Sequence, residues 1–123
     1  MFIGHFTEEP WQHPEWKEEW GSGQLVSNKE YIPELGAQLY NRYIDEKIYA
    51  EEMGFDSVWV GDSLTAKPRL EPLATLAAVA ARTRRVRLGT AVLLAALRHP
   101  VLLAQTFATI DVISQGRLVI AAG

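Results

Sequence analysis

Asp62 and Ser63 follow the apolar run Phe55-Asp56-Ser57-Val58-Trp59-Val60-Gly61. A carboxylate at the end of a buried strand can act as a general acid or base. It can equally cap the loop that follows by accepting backbone N–H groups. The neighbouring hydroxyl of Ser63 needs an activating partner before it can serve as a base near neutral pH. The chain has three His: His5, His13 and His99. His5 sits in a short apolar stretch and reads either as a hydrogen-bonded core residue or as a site group. His99 precedes Pro100 and fits a helix start. His13 lies among Glu residues, but its spacing lacks the helix-based ligand geometry of a metal site, and no metal is expected. There is no Cys, which excludes disulfides and thiolate chemistry.

The elements that must carry these residues alternate between strand and helix. Phe2-Ile3-Gly4-His5-Phe6 reads as a first strand. Residues 7–37 hold Trp11, Trp16 and Trp20 with Pro10, Pro14 and Pro33, and keep no period, so they read as a long loop. The three Trp argue for burial rather than disorder. Residues 39–53 have helical spacing, with Leu39, Tyr43, Ile44, Ile48 and Tyr49 on one face. Asp45, Glu46, Lys47 and Glu51 are assigned to the solvent face. Gly54 falls where a helix-terminating glycine belongs.

A buried strand at 55–60 follows, then an Ala- and Leu-rich packed helix at 73–83. Arg82, Arg84 and Arg85 at its C-terminal end suit the dipole and are expected to be solvated. Residues 86–94 read as a third strand. Pro100 opens a helix to about Ile113, Ser114-Gln115-Gly116 stops it, and residues 117–121 read as a fourth strand. The expected fold is therefore α/β, with about four parallel strands and three helices in one domain over 1–123. In a parallel sheet the C-terminal strand ends share a face. Asp62, Thr90 and the Ala91–Val92 peptide should line it, with His5 nearby.

Composition narrows the partners. Hydrophobic content of 48%, charged content of 22% and a net charge of −3 match an ordinary soluble domain. They give no reason to expect nucleic acid or an anionic membrane as partner. No signal peptide is visible at the N-terminus and no apolar stretch is long enough to span a bilayer, so a cytoplasmic protein is the default.

Four segments together resemble the bacterial-luciferase-like superfamily of flavin- and deazaflavin-dependent oxidoreductases. They are Ala50-Glu51-Glu52-Met53-Gly54-Phe55-Asp56-Ser57-Val58-Trp59-Val60-Gly61-Asp62; Glu71-Pro72-Leu73 through Arg82-Thr83; Val86-Arg87-Leu88-Gly89-Thr90-Ala91-Val92; and His99-Pro100 through Ala104, Asp111, Ser114 and Gly116-Arg117-Leu118. The resemblance covers residues 40–123. It implies a (β/α)₈ TIM barrel with an FMN or deazaflavin ring at the C-terminal strand ends, where barrel active sites lie. Asp62, Ser63, Thr90, Ala91, Val92 and Gly123 would then contact the cofactor, and a small organic molecule would be the substrate. The resemblance also implies a non-proline cis peptide at the end of the third strand, matching Ala91–Val92. Many relatives carry an acidic residue followed by His after strand two. Here Ser63 stands in that position, so acid/base work falls to Asp62, to His5, or to residues outside these four strands.

A (β/α)₈ barrel needs about 250 residues, whereas this chain has 123. It therefore reads as the N-terminal half of a barrel, and two functions stay open. One is a luciferase-like oxidoreductase of the monooxygenase kind. The other is a non-catalytic truncated half-barrel that folds only by self-association. Open apolar edges make a homo-oligomer the expected state in either case.

Overall fold

The computed structural model describes residues 1–9, 11, 31–64 and 69–123. His13, Trp16 and Trp20, and the readings that rest on them, lie outside the described residues. Among the described residues four strands and three α-helices alternate: β1 (Gly4–Thr7), α1 (Pro33–Glu52), β2 (Ser57–Val60), α2 (Pro72–Arg82), β3 (Arg87–Thr90), α3 (Pro100–Ser114) and β4 (Leu118–Val119). The strands are all parallel in the order β1-β2-β3-β4. No helix among the described residues is long and apolar enough to cross a membrane.

Helix α1 starts six residues earlier than the periodicity predicts. Pro33 occupies its first turn, where the missing N–H costs nothing, and Glu34 suits the dipole there. Gly36, which falls in the expected loop, is buried in this helix, where the Tyr31 ring occupies the space a Cβ would need. The helix ends as expected at Gly54, whose φ of 88° favours glycine. Phe55 N–H bonds back to Ala50 O at 3.0 Å and Gly54 N–H to Glu51 O at 3.1 Å, closing a Schellman motif. Helix α2 has Pro72 in its first turn, and its N-cap Glu71 accepts from Ala74 N–H at 2.7 Å.

The three helices cover one face of the sheet. Val58, Val60 and Leu88 pack there with Ala50 of α1, Leu73, Leu76, Val79 and Ala80 of α2, and Ile110 of α3. Strand side chains alternate between faces. The opposite face therefore carries Gly4 and Phe6 of β1, Ser57 and Trp59 of β2, Gly89 of β3 and Val119 of β4. Trp59 lies flat across Gly89, in the space a Cβ would fill, and its Nε1–H donates to Ser57 Oγ at 2.8 Å.

Two polar residues of α1 correct the amphipathic reading: Lys47 and Glu51 are buried, not solvated. The Lys47 ammonium pairs with Glu9 and bonds to Thr7 Oγ1 at 2.9 Å, both supplied by the end of β1 and the residues after it. The Glu51 carboxylate accepts the backbone N–H groups of Arg84, Arg85 and Val86 at 2.6–3.0 Å. The arginines at the end of α2 are also engaged. Arg82 pairs with Asp45 at 2.8 Å, and Arg85 reaches Glu51 O at 2.9 Å.

Candidate functional site

Strands β3 and β4 are shorter than the apolar runs that encode them, and the reason defines the site. Thr90 is fully buried, and its hydroxyl replaces a rung of the ladder by donating to Ala121 O at 2.9 Å and accepting from Ala121 N–H at 3.1 Å. Ala91 and Val92 then leave the ladder, exposed, with a cis peptide between them. Pairing resumes beyond them, where Leu93 N–H bonds to Ala121 O at 2.7 Å and Gly123 N–H to Leu93 O at 2.9 Å. Ala91 N–H is tied back to Val60 O at 2.8 Å. The Ala91–Val92 step is thus a bulge pinned on both sides, beside Gly61-Asp62 and Gly123. A Cβ on Gly123 would meet Val92 Cγ2 at 2.6 Å, so glycine is needed for this approach.

Asp62 is spoken for. Its side chain is 2% exposed, and Oδ2 accepts from Leu94 N–H at 2.9 Å and from the Arg98 guanidinium at 2.6 Å. Arg98 also reaches Leu94 O at 3.0 Å and Glu71 Oε1 at 3.0 Å. One guanidinium therefore joins the loop after β2, the segment after the bulge and the N-cap of α2. Of its two sequence readings, the loop-holding one describes the contacts Asp62 makes. Ser63 sits half-buried beside it.

His5 does not join this group. Its ring packs edge-on against Phe55, 6.0 Å between centroids, on the helix side of the sheet. Its Nδ1 is buried without a hydrogen-bond partner. Burial, and then the Lys47 charge, push its pKa below the ordinary 6.5, against a smaller opposing pull from Glu46. Side chains alternate along β1, so His5, paired with the core-facing Val58, lies on the helix side of the sheet. Phe6, the next residue, faces the other way, half-exposed and in contact range of Gly61. Thr90 is fully buried with its hydroxyl engaged by the Ala121 backbone, whereas Ala91 and Val92 just beyond β3 are exposed.

At the C-terminal strand ends Phe6, Ala91, Val92 and Gly123 are exposed and Gly61 is partly so. The family model for luciferase-like monooxygenases matches residues 32–123. The chain belongs to the luciferase-like monooxygenase family. It is 43% identical over 109 residues to the F420-dependent glucose-6-phosphate dehydrogenase of Microbacterium testaceum, covering 82% of this chain and 30% of that protein. It is 37% identical over 85 residues to the oxygenase component of the flavin-dependent trigonelline monooxygenase of Acinetobacter baylyi, covering 66% of this chain and 23% of that protein. Among solved structures, the monooxygenase RslO1 of Streptomyces bottropensis superposes with a TM-score of 0.66 at 38% identity, covering 71% of this chain and 27% of that one.

The chain spans less than a third of the length of these family members. Its four parallel strands and three helices are a partial TIM barrel of the luciferase-like kind. In a closed barrel the helix layer faces outward and the Trp59–Gly89 side faces the interior. Phe6, Arg69 and Arg98 are site-region residues the sequence alone did not single out. The face of Phe6 follows only from the β1–β2 register, which pairs it with Trp59. Nothing local marked either arginine.

Proposed function

We propose that this chain supplies the ring-binding floor of a luciferase-like oxidoreductase that uses FMN or a deazaflavin coenzyme on a small organic substrate. The observation that carries the reading is the gathering of Gly61, Ala91, Val92 and Gly123 with the half-exposed Phe6 at one edge of a parallel sheet. When bound, the cofactor would supply two-electron redox chemistry. Ala91, Val92 and Gly123 would support one face of its ring, and Phe6 would wall it from water. Asp62 and Arg98 would act as positioning residues: they hold the segment after the bulge, and with it the floor. Acid/base work would then come from residues beyond these four strands rather than from His5. The F420 dependence of one relative and the flavin dependence of another leave both cofactors in the proposal.

Fluorescence titration of the purified protein with FMN and with F420 tests this. Saturable quenching by either cofactor, weakened by Ala91→Glu, is the expected result. Absence of saturable quenching with both would overturn the reading. We also propose that the chain forms a homo-oligomer, because among the described residues β1 and β4 each pair on one side only.

A further inference from the structure

We propose that Arg69 is the anion-recognition residue of this site and reads a carboxylate or phosphate group on the substrate. The proposal rests on the reading that the C-terminal strand edge is the substrate-bearing face. The Arg69 side chain is 8% exposed. A guanidinium carries its charge throughout the working pH range, and a buried charge is normally paired and hydrogen-bonded. Arg69 is not well paired. Its Nε is buried without an acceptor. Among the described residues its one ion pair, with Glu8 Oε2, spans 3.7 Å to a side chain that is 58% exposed, well beyond the roughly 2.7–2.9 Å of a charge-assisted hydrogen bond.

Its position points to the site. A Cβ on Gly61 would sit 3.5 Å from Arg69 Nη1 and 3.7 Å from the Phe6 ring. The guanidinium and the Phe6 ring therefore flank Gly61 on the side that faces the barrel interior. The other polar groups there cannot serve as a built-in counterion. Asp62 is taken by Arg98 and Leu94 N–H. Tyr40 of α1 feels the Arg69 charge, but burial first, and then Tyr31 and Tyr43, push its phenol up to about 12 against that charge. It stays neutral. Glu8 is the loose occupant, and an oxyanion bound to the guanidinium fork would displace it.

The test titrates purified protein with sodium phosphate and sodium acetate against sodium chloride at matched ionic strength. Binding is read by calorimetry and by the ¹⁵N signal of Arg69 Nε. Saturable binding of phosphate or acetate, but not chloride, is expected, and the two arms tell a phosphate from a carboxylate site. Arg69→Gln should abolish it and Arg69→Lys weaken it, since an ammonium keeps the charge but loses the fork. Glu8→Gln should tighten it about two- to fivefold, the worth of an exposed ion pair. No saturable binding, unchanged binding in Arg69→Gln, or no effect of Glu8→Gln would each overturn the proposal. If Arg69→Gln does not fold by circular dichroism, the Lys and Glu8 variants decide. FMN and F420 titrations separate the two readings. Anion binding without cofactor binding sinks the cofactor reading alone. Loss of cofactor binding in folded Arg69→Gln would assign the anion to the cofactor and overturn the substrate claim.

Discussion

Arg98 Nη1 lies 2.6 Å from Asp62 Oδ2, joining loops that leave two different strands. The Asp62 side chain is almost wholly buried and Arg98 is 15% exposed. Removing one partner of such a pair leaves an uncompensated buried charge, which costs on the order of 3 kcal/mol. Arg98→Ala should therefore lower the melting temperature by roughly 10–15 °C. It should also speed hydrogen exchange at Leu94 N–H. Adding Asp62→Asn should recover part of the loss, because no buried charge is then stranded. An Arg98→Ala melting curve indistinguishable from wild type would contradict this.

The elements were legible because their signals are local. Pro72 and Pro100 mark helix starts, Gly54 and Gln115-Gly116 mark helix ends, and the apolar runs of β2 and β3 have strand length. The β2–β3 pairing and the shared strand-end face follow from the alternation. The contacts that fix the site are long-range and leave no periodic trace. Lys47 looks like a solvent-face residue until Glu9, 38 positions earlier, is placed against it. Glu51 looks the same until the 84–86 amides arrive. His5 and Phe6 could not be assigned to faces from a five-residue apolar stretch alone. Ala91–Val92 reads as continuous strand, because only the side chain of Thr90, bonding to Ala121, ends the ladder there.

Glu51 gives the fold an acid-sensitive element. Burial favours its neutral form, but the Val86, Arg85 and Arg84 amides, aided by the Arg85 charge, outweigh this and hold its pKa below the ordinary 4.5. A carboxyl whose folded pKa is depressed contributes stability above its unfolded pKa and loses it as pH falls through the folded value. Glu51→Ala strands three N–H groups, and at about 1–3 kcal/mol for each buried donor left unsatisfied it should cost on the order of 3 kcal/mol at pH 7. Denaturant melts from pH 7 to pH 3 should show the gap between wild type and Glu51→Ala closing below about pH 4.5. A gap independent of pH would show that the carboxylate charge is not what holds the 84–86 turn.

Gly89 and Trp59 form a second constraint, on the interior face. The indole occupies the place of a Gly89 Cβ, and its Nε1–H is held by Ser57. Gly89→Ala must displace the ring or the strand, an overpacking cost of roughly 1–3 kcal/mol. Loss of near-ultraviolet circular dichroism should accompany it, as the indole leaves its fixed orientation. Trp59→Ala combined with Gly89→Ala should be less than additive, because the clash partner is gone. Strict additivity of the two would mean that the ring and the glycine are energetically independent.

The outer strands predict how the 123-residue chain behaves on its own. Among the described residues, strands β1 and β4 each pair on one side only, and Phe2, Ile3 and Phe6 are exposed along or beside β1. Helix α3 adds Val101, Leu102, Val112 and Ile113, all exposed. Unpaired edges with apolar side chains recruit other chains, and apolar area left in water forgoes about 25 cal/mol per Å². Pairing two copies recovers part of this without any new fold. Light scattering coupled to size exclusion should show dimers or larger species, with a mass distribution that depends on concentration. Ile3→Lys should shift it toward monomer, since a charge on an edge strand opposes pairing. The Ile3 backbone stays tied to Asp56 through N–H to Oδ2 at 2.7 Å and through its carbonyl at 2.9 Å, so the substitution should leave β1 in place. A monodisperse wild-type monomer with a sharp cooperative melt would show that the helix-covered core alone carries the fold and that the open edges are tolerated.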